Sequence, residues 1–119
     1  MLLNITNHPS SRWSDTQKSE AAKFGEIVDI PFPRIRPETS EAEIDELVKQ
    51  YLLQVERYVE PVVLLQGEFI FTYRLIVALK KKGVRVVACQ SDIERNEFQD
   101  ENQNTVKNTV YKFGCFREY

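Results

Sequence analysis

Side chains that can bind an anion or transfer a proton gather in two short polar turns of the sequence. The first turn, Asn7–Arg12, holds the single histidine of the chain, His8, with two serines and an arginine. Histidine exchanges a proton near neutral pH, and hydroxyls, backbone amides and guanidinium groups hold phosphate. The second turn, Gln66–Glu68, supplies an amide, a glycine that permits close approach, and a carboxylate. Together these turns indicate a site for a small anionic ligand, with His8 and Arg12 as candidate catalytic residues.

Each of these residues also has a purely structural interpretation. His8 can position the loop backbone, and a tryptophan at a helix start, such as Trp13, packs in a core more often than it stacks on a base. Glu68 can interact with a helix dipole, whereas Gln66 ends a buried strand and its amide requires a partner. We expect ligand contacts from both turns and from the segments that follow neighbouring strands. The expected ligand-binding residues are Asn7, His8, Ser10, Ser11, Trp13, Gln66, Gly67, Glu68, Thr72, Gln90 and Ser91.

Motifs of several common enzyme classes are absent. The sequence has no G-x-G-x-x-G or Walker phosphate loop, no nucleophile elbow and no H-E-x-x-H motif. Its two cysteines, Cys89 and Cys115, are far apart, and no cluster has the spacing of metal ligands. We therefore predict neither a metal site nor a cofactor, and the free thiols fit a reducing cytoplasm.

Length and charge narrow the class of protein further. With 119 residues the chain has the length of one domain, so we expect a single domain over residues 1–119. The net charge of −2 disfavours binding to long nucleic acids, which depends on many phosphate contacts. No apolar run reaches the length of a membrane span and no secretory signal is present, so we predict a cytoplasmic protein without a membrane partner.

Strand and helix patterns alternate along the chain. Ser14 with Gln17 and Ser40 with Glu43 have the spacing of capping boxes and mark two helix starts. The predicted strands are Leu2–Thr6, Glu26–Ile30, Val62–Leu65 and Val84–Cys89. The predicted helices are Ser14–Phe24, Ser40–Val59 and Phe69–Lys82. A turn at Gln90–Asp92 is expected to precede a C-terminal β-hairpin formed by Ile93–Gln99 and Val106–Phe113.

This alternation predicts an α/β fold of the Rossmann-like kind, with helices in layers on both faces of a mostly parallel sheet. The simplest strand order is 2-1-3-4, so the chain changes direction between the first and third strands. In open sheets of this kind, ligands bind beyond the carboxyl ends of the strands at that point. The turns Asn7–Arg12 and Gln66–Glu68 follow these two strands, and we expect them to meet there.

Four segments of the sequence resemble a known family. Leu3–Ser14 has the sequence LNITNHPSSRWS, Leu65–Tyr73 has LQGEFIFTY, Gly83–Ala88 has GVRVVA, and Phe116–Tyr119 has FREY. These segments resemble small stand-alone proteins of type III CRISPR systems that are related to the CARF (CRISPR-associated Rossmann fold) proteins. The resemblance follows nearly the whole chain in order and in predicted structure.

The resemblance implies a ligand and an assembly. Such proteins bind cyclic oligoadenylate, the second messenger of type III systems, and we expect cyclic tetra-adenylate. CARF proteins form homodimers around this nearly symmetric ligand, so we expect a homodimer or a higher assembly. Position by position, the loop Asn7–Ser11, the turn Gln66–Glu68 and Thr72 become the expected ligand contacts. No nuclease domain is appended, so the protein is expected to lower the level of the messenger.

Two mechanisms would achieve this. A metal-independent ring nuclease would align a ribose 2′-hydroxyl with the neighbouring phosphate, with His8, a hydroxyl and Arg12 as the available groups. A binding protein would only sequester the messenger, and the lack of a lysine at the predicted rim keeps this mechanism open. A third interpretation is a flavodoxin-like interaction or regulatory module without a nucleotide ligand. Receiver modules of that type require clustered acids at strand ends, whereas the first strand here ends in Thr6 and Asn7.

Overall fold

A computed structural model describes all residues from Met1 to Tyr119 and has an α/β architecture. The elements are β1 (Leu2–Ile5), a 3-10 helix (Ser10–Arg12), α1 (Asp15–Ala22), β2 (Ile27–Asp29), α2 (Glu41–Glu56), β3 (Val62–Leu65), α3 (Phe69–Lys81), β4 (Arg85–Gln99) and β5 (Thr105–Glu118). They form one five-stranded sheet in the order β2-β1-β3-β4-β5. The first four strands are parallel, and β5 is antiparallel to β4. The predicted order of the first four strands is therefore confirmed.

Local capping defines where the helices begin. The Ser14 hydroxyl accepts a hydrogen bond from the Gln17 amide at 3.2 Å, and the Ser40 hydroxyl accepts one from the Glu43 amide at 3.1 Å. Both predicted helix starts are thus confirmed, because each serine satisfies an amide that the first turn leaves free. The predicted helix ends were two or three residues too late, since α1 ends at Ala22 and α2 at Glu56.

The core has two parts, one on each face of the sheet. β1 and β3 are buried along their whole length and separate these parts. On one face, side chains of α2 and α3 such as Val55, Phe71 and Leu75 pack against β1 and β3. On the other face, Trp13 and Ala21 pack against the remaining side chains of the same strands. None of the helices combines the length and the hydropathy that a membrane span requires.

The predicted turn at Gln90–Asp92 is wrong, because β4 continues through these residues to Gln99. A bulge replaces the turn. Gln90 lies opposite Cys115 and Ser91 opposite Phe113, so Gly114 is an extra residue on β5. A Cβ atom at Gly114 would lie 2.8 Å from the Gln90 carbonyl oxygen, so only glycine fits this close approach. Backbone pairing with β5 overrides the turn preference of the polar sequence.

Beyond the bulge, β4 and β5 leave the sheet as a two-stranded hairpin, and the predicted hairpin is confirmed. We call Ser91–Gln99 and Thr105–Phe113 with their connecting turn the arm. The molecule is elongated by it: the longest dimension is 56 Å and the radius of gyration is 17.4 Å. A compact domain of this length would have a radius of gyration of about 13.5 Å. The arm therefore projects from the carboxyl edge of the parallel strands.

Candidate functional site

An open cleft of about 810 Å³ lies at the carboxyl ends of β1 and β3, on the face of the sheet that α1 covers. Thr6, Asn7 and His8 line it from the loop after β1, and Gln66 and Gly67 line it from the turn after β3. The two polar turns that are far apart in the sequence thus meet at the change of direction in the sheet, as predicted. Arg12, Trp13 and Ser91 also line the cleft.

The loop after β1 is held by the buried side chain of Asn4. The Asn4 amide donates to the His8 carbonyl and to an Asp29 carboxylate oxygen, each at 2.9 Å, and accepts from the Thr6 hydroxyl at 2.8 Å. The Trp13 indole N–H donates to the same His8 carbonyl at 3.1 Å. These contacts fix the backbone of His8, while its imidazole makes no hydrogen bond within the chain and borders the cleft.

Asp29 occupies the donors of Ser10, one of the residues that the sequence suggested for a phosphate. Its carboxylate accepts from the Ser10 amide at 3.2 Å and from the Ser10 hydroxyl at 3.0 Å. Ser10 and Ser11 lie outside the cleft, so the structure places neither of them with His8 and Gly67. The cause is the pairing of β2 with β1, which brings the end of β2 beside the loop.

The side chain of Gln66 continues the hydrogen bonding between β3 and β4 beyond the end of β3. Its amide donates to the Cys89 carbonyl at 3.0 Å and its side-chain oxygen accepts from the Cys89 amide at 2.8 Å. The amide of Gln66 therefore has the partner that we expected, and this partner is the backbone of Cys89. Gly67 lies against the ring of Phe32, where a Cβ atom would come within 2.3 Å of the ring. Close approach by a side chain of the chain itself explains this glycine.

The structure does not bring Glu68, Thr72 and Gln90 into the cleft. Both oxygens of Glu68 cap α3, accepting from the Ile70 amide at 2.9 Å and the Phe71 amide at 2.7 Å. Thr72 is buried on α3, which covers the opposite face of the sheet. Gln90 lies in β4 directly before the bulge, and its two neighbours Cys89 and Ser91 line the cleft instead. Proximity to the second turn did not place Glu68 and Thr72 in the site, and a position after the predicted fourth strand did not place Gln90 there.

Trp13 has the core role rather than an open stacking role. It is 7% exposed, its ring packs 6.4 Å from that of Phe116, and its indole N–H is already bonded to His8. Trp13 nevertheless lines the cleft from this core position.

One wall of the cleft comes from residues that sequence reasoning missed. Tyr111, Lys112 and Phe113 of the arm form it, and the first turn of α1 adds Ser14, Thr16 and Gln17. The expectation of no lysine at the rim was wrong, because Lys112 borders the cleft. Its ammonium lies 2.7 Å from the Glu94 carboxylate, which raises the pKa of Lys112. The strand register sets the face of the arm that Tyr111 and Phe113 share with Cys89, and a local sequence pattern does not reveal it.

The cleft contains few groups that are free to react. Cys89 lies at its floor, and burial raises the pKa of this thiol, so the thiol stays protonated at neutral pH. Lys112 is paired with Glu94. Arg12 takes part in no ion pair of the structure, and the His8 imidazole has no partner within the chain. The cleft is therefore suited to hold an anion between Arg12 and the start of α1.

Fold and cleft together define an α/β protein with a mixed five-stranded sheet and an open, ligand-sized cleft at the carboxyl ends of its parallel strands. The chain belongs to the uncharacterized protein MJ1673 family, whose model matches residues 1–117. The matched region includes all three helices, the cleft and the arm. No curated protein matches the sequence.

Proposed function

We propose that this chain is a Rossmann-like domain of the CARF-related kind that binds cyclic oligoadenylate in the cleft, with cyclic tetra-adenylate as the ligand. In this proposal the protein acts in the cytoplasm as a homodimer and lowers the level of a type III CRISPR messenger. One observation carries the proposal. The two segments with the strongest family resemblance, Leu3–Ser14 and Leu65–Tyr73, both contribute residues to the same cleft.

The chemistry of the cleft supports a nucleotide ligand. Its volume of about 810 Å³ falls within the range of roughly 300–1,000 Å³ for small-molecule sites. Arg12 supplies a free guanidinium for a phosphate, and the first turn of α1 offers polar groups at a positive helix end. Tyr111 is 71% exposed at the arm wall and gives an adenine ring a surface for stacking.

The available groups favour sequestration over cleavage. Metal-independent cleavage would join a ribose 2′-oxygen to phosphorus and break the bond to the 5′-oxygen, giving a cyclic phosphate and a 5′-hydroxyl. One group must accept the 2′-hydroxyl proton and another must protonate the leaving 5′-oxygen. His8 is the one histidine of the chain and its imidazole has no partner within it, while Lys112 is paired with Glu94 and the pKa of the half-buried Cys89 thiol is raised. Arg12 would stabilise the ligand in either case.

Calorimetric titration with cyclic tetra-adenylate tests this proposal. We expect saturable binding, and at least a tenfold loss of affinity in Arg12→Ala, because a charged hydrogen bond to phosphate contributes about 1.5–3 kcal/mol. Lys49→Ala is the matched control, since Lys49 is an exposed cation on α2 without an ion pair. Its affinity is expected to equal that of the native chain.

The fate of the bound nucleotide separates the two mechanisms. After incubation with native protein, the mixture is denatured and the nucleotide is chromatographed. Intact ring in stoichiometric amount supports sequestration, and linear products with cyclic-phosphate ends support the ring nuclease. Absence of binding to rings of every size would reject both mechanisms and leave the interaction module without a nucleotide ligand.

A further inference from the structure

Both faces of the arm are exposed to solvent, and this arrangement gives a two-stranded ribbon little stability. From Asp92 to Gln99 and from Thr105 to Tyr111, every side chain except the half-buried Val106 is exposed. An isolated two-stranded hairpin is marginally stable at best, and stable ribbons pack against a further strand or helix. Two cross-strand ion pairs, Lys107 with Glu97 and Lys112 with Glu94, are the only charge pairs within this ribbon. Such exposed pairs contribute little to stability.

Alternation along the strands divides the apolar residues of the arm between its faces. Tyr111 and its cross-strand neighbour Ile93 share the face of the cleft. Phe98 lies opposite Val106, and Val110 is four residues from Val106, so these three share the other face, which we call the outer face. Phe98 is 50% exposed and Val110 is 43% exposed. The outer face looks toward the same side of the sheet as α3.

A second uncovered apolar surface lies at the start of α3. Phe69, Ile70 and Tyr73 occupy its outward side, and their exposed fractions are 86%, 47% and 69%. We call these three residues the α3 patch. None of the three belongs to the core, although Phe71 and Thr72 of the same turn are buried. Surfaces of this kind commonly mark interfaces between proteins.

Charge makes the two surfaces complementary. Between residues 91 and 113 the arm carries five acidic and three basic side chains, and Asp100 and Glu101 at its turn form no ion pair. The loop before α2 packs on α3 through Phe32, whose ring lies 5.4 Å from that of Phe71, and Arg34 and Arg36 follow Phe32 along this loop. Neither arginine takes part in an ion pair. The loop that packs on α3 through Phe32 thus carries two unpaired arginines, and these suit an acidic partner such as the arm.

We propose that the arm docks its outer face on the α3 patch of a second copy of this chain, reciprocally, in a two-fold homodimer. Each protomer then contributes one arm and one patch, as a closed symmetric interface requires. The side chains of Phe69, Tyr73 and Phe98 alone would bury roughly 400 Å² per protomer, about half of the ~800 Å² that a stable interface buries on each partner. This inference specifies the interface of the homodimer in the proposed function, and it does not depend on the identity of the nucleotide.

Docking of the arm on a partner would also fix one wall of the cleft. Tyr111 and Phe113 form the arm wall of the cleft, and they lie on the face opposite to the one that would dock. A partner that fixes the ribbon from outside thereby fixes this wall. In the dimer the arm wall of the cleft is thus held in place by the partner, although every residue of the cleft belongs to one chain.

Sedimentation velocity of the native chain without nucleotide tests the interface directly. We expect the native chain to be a dimer. We expect Phe98→Asp and Phe69→Asp each to raise the dissociation constant of the dimer at least tenfold. Val59→Asp is the matched control, because Val59 is 84% exposed but lies outside both surfaces, and it is expected to remain dimeric. Circular dichroism checks that all variants are folded, which is expected because each substituted side chain is exposed.

Mixing the two variants distinguishes docking of arm on patch from other dimers. Phe98→Asp retains an intact patch and Phe69→Asp an intact arm, so their mixed dimer has one undamaged contact. We expect dimer in the mixture at a concentration where each variant alone is monomeric. A native monomer, or variants that remain dimeric, would overturn the inference, as would a mixture that stays monomeric. Nucleotide binding by the cleft is measured separately, so the failure of either proposal is identifiable.

Discussion

Asn4→Ala removes the side chain that holds the loop of the cleft, and its cost can be worked from the contacts. Asn4 is 1% exposed and makes three hydrogen bonds, to the His8 carbonyl, the Asp29 carboxylate and the Thr6 hydroxyl. A hydrogen bond contributes about 1 kcal/mol net to the free energy of unfolding. Because the His8 carbonyl keeps its hydrogen bond from Trp13 in the variant, the total loss is smaller than three such bonds. We expect the free energy of unfolding to fall by about 2 kcal/mol. For a chain of this length this corresponds to a decrease in Tm of roughly 6–10 °C.

Urea unfolding followed by circular dichroism measures this effect. Asn108→Ala is the control, because Asn108 is exposed on the arm and makes no side-chain hydrogen bond, and its effect is expected within about 0.5 kcal/mol of zero. Asn4→Asp is expected to cost more than Asn4→Ala, since it places a second carboxylate beside Asp29. If Asn4→Ala were no more damaging than Asn108→Ala, the network would not be what holds the loop, and the reasoning would be refuted.

Three further predictions concern residues around the cleft. Gly67→Ala is expected to lower stability by about 1–3 kcal/mol through its clash with the Phe32 ring, and the double variant with Phe32→Leu should recover most of this loss in thermal unfolding. Glu68→Ala should cost about 1 kcal/mol as the loss of a helix cap while leaving nucleotide affinity unchanged, and a large loss of affinity would place its carboxylate in the site after all. The Tyr119 hydroxyl donates to the Leu65 carbonyl at 2.7 Å, and burial raises the pKa of Tyr119 above 10.0. The contribution of the Tyr119 hydroxyl to the free energy of unfolding is therefore complete below pH 10 and is lost as the pH rises through the folded-state pKa. The difference in stability between the native chain and Tyr119→Phe should narrow above pH 10. A difference that does not change with pH would contradict this prediction.

The sheet and its helices could be predicted because local signals and burial agree there. Val62–Leu65 is a continuous apolar run, and a strand covered on both faces requires one. Ser14 and Ser40 cap helices as their spacing indicated, since a capping contact depends on residues three apart. From these elements the meeting of His8 and Gly67 follows by topology alone.

The remaining site residues depend on contacts between distant segments. Asp29 takes the Ser10 donors only because β2 pairs with β1, and nothing near Ser10 in the sequence indicates this. The arm wall depends on the bulge at Gly114, which sets the face on which Tyr111 and Phe113 lie. A polar Gln-Ser-Asp sequence favours a turn locally, and pairing with a later strand reverses that preference. Register of this kind cannot be obtained from a local pattern.

The most direct test of the account is a titration of the ¹⁵N-labelled protein with cyclic tetra-adenylate, followed through backbone amide resonances. We expect the amides of His8 and Gly67 to shift together along one binding curve, because both residues line the cleft. Gly83 lies in a second depression at the amino ends of the strands, and its amide should remain unchanged. Movement of Gly83 without His8 and Gly67, or the absence of any shift at saturating nucleotide, would contradict the account.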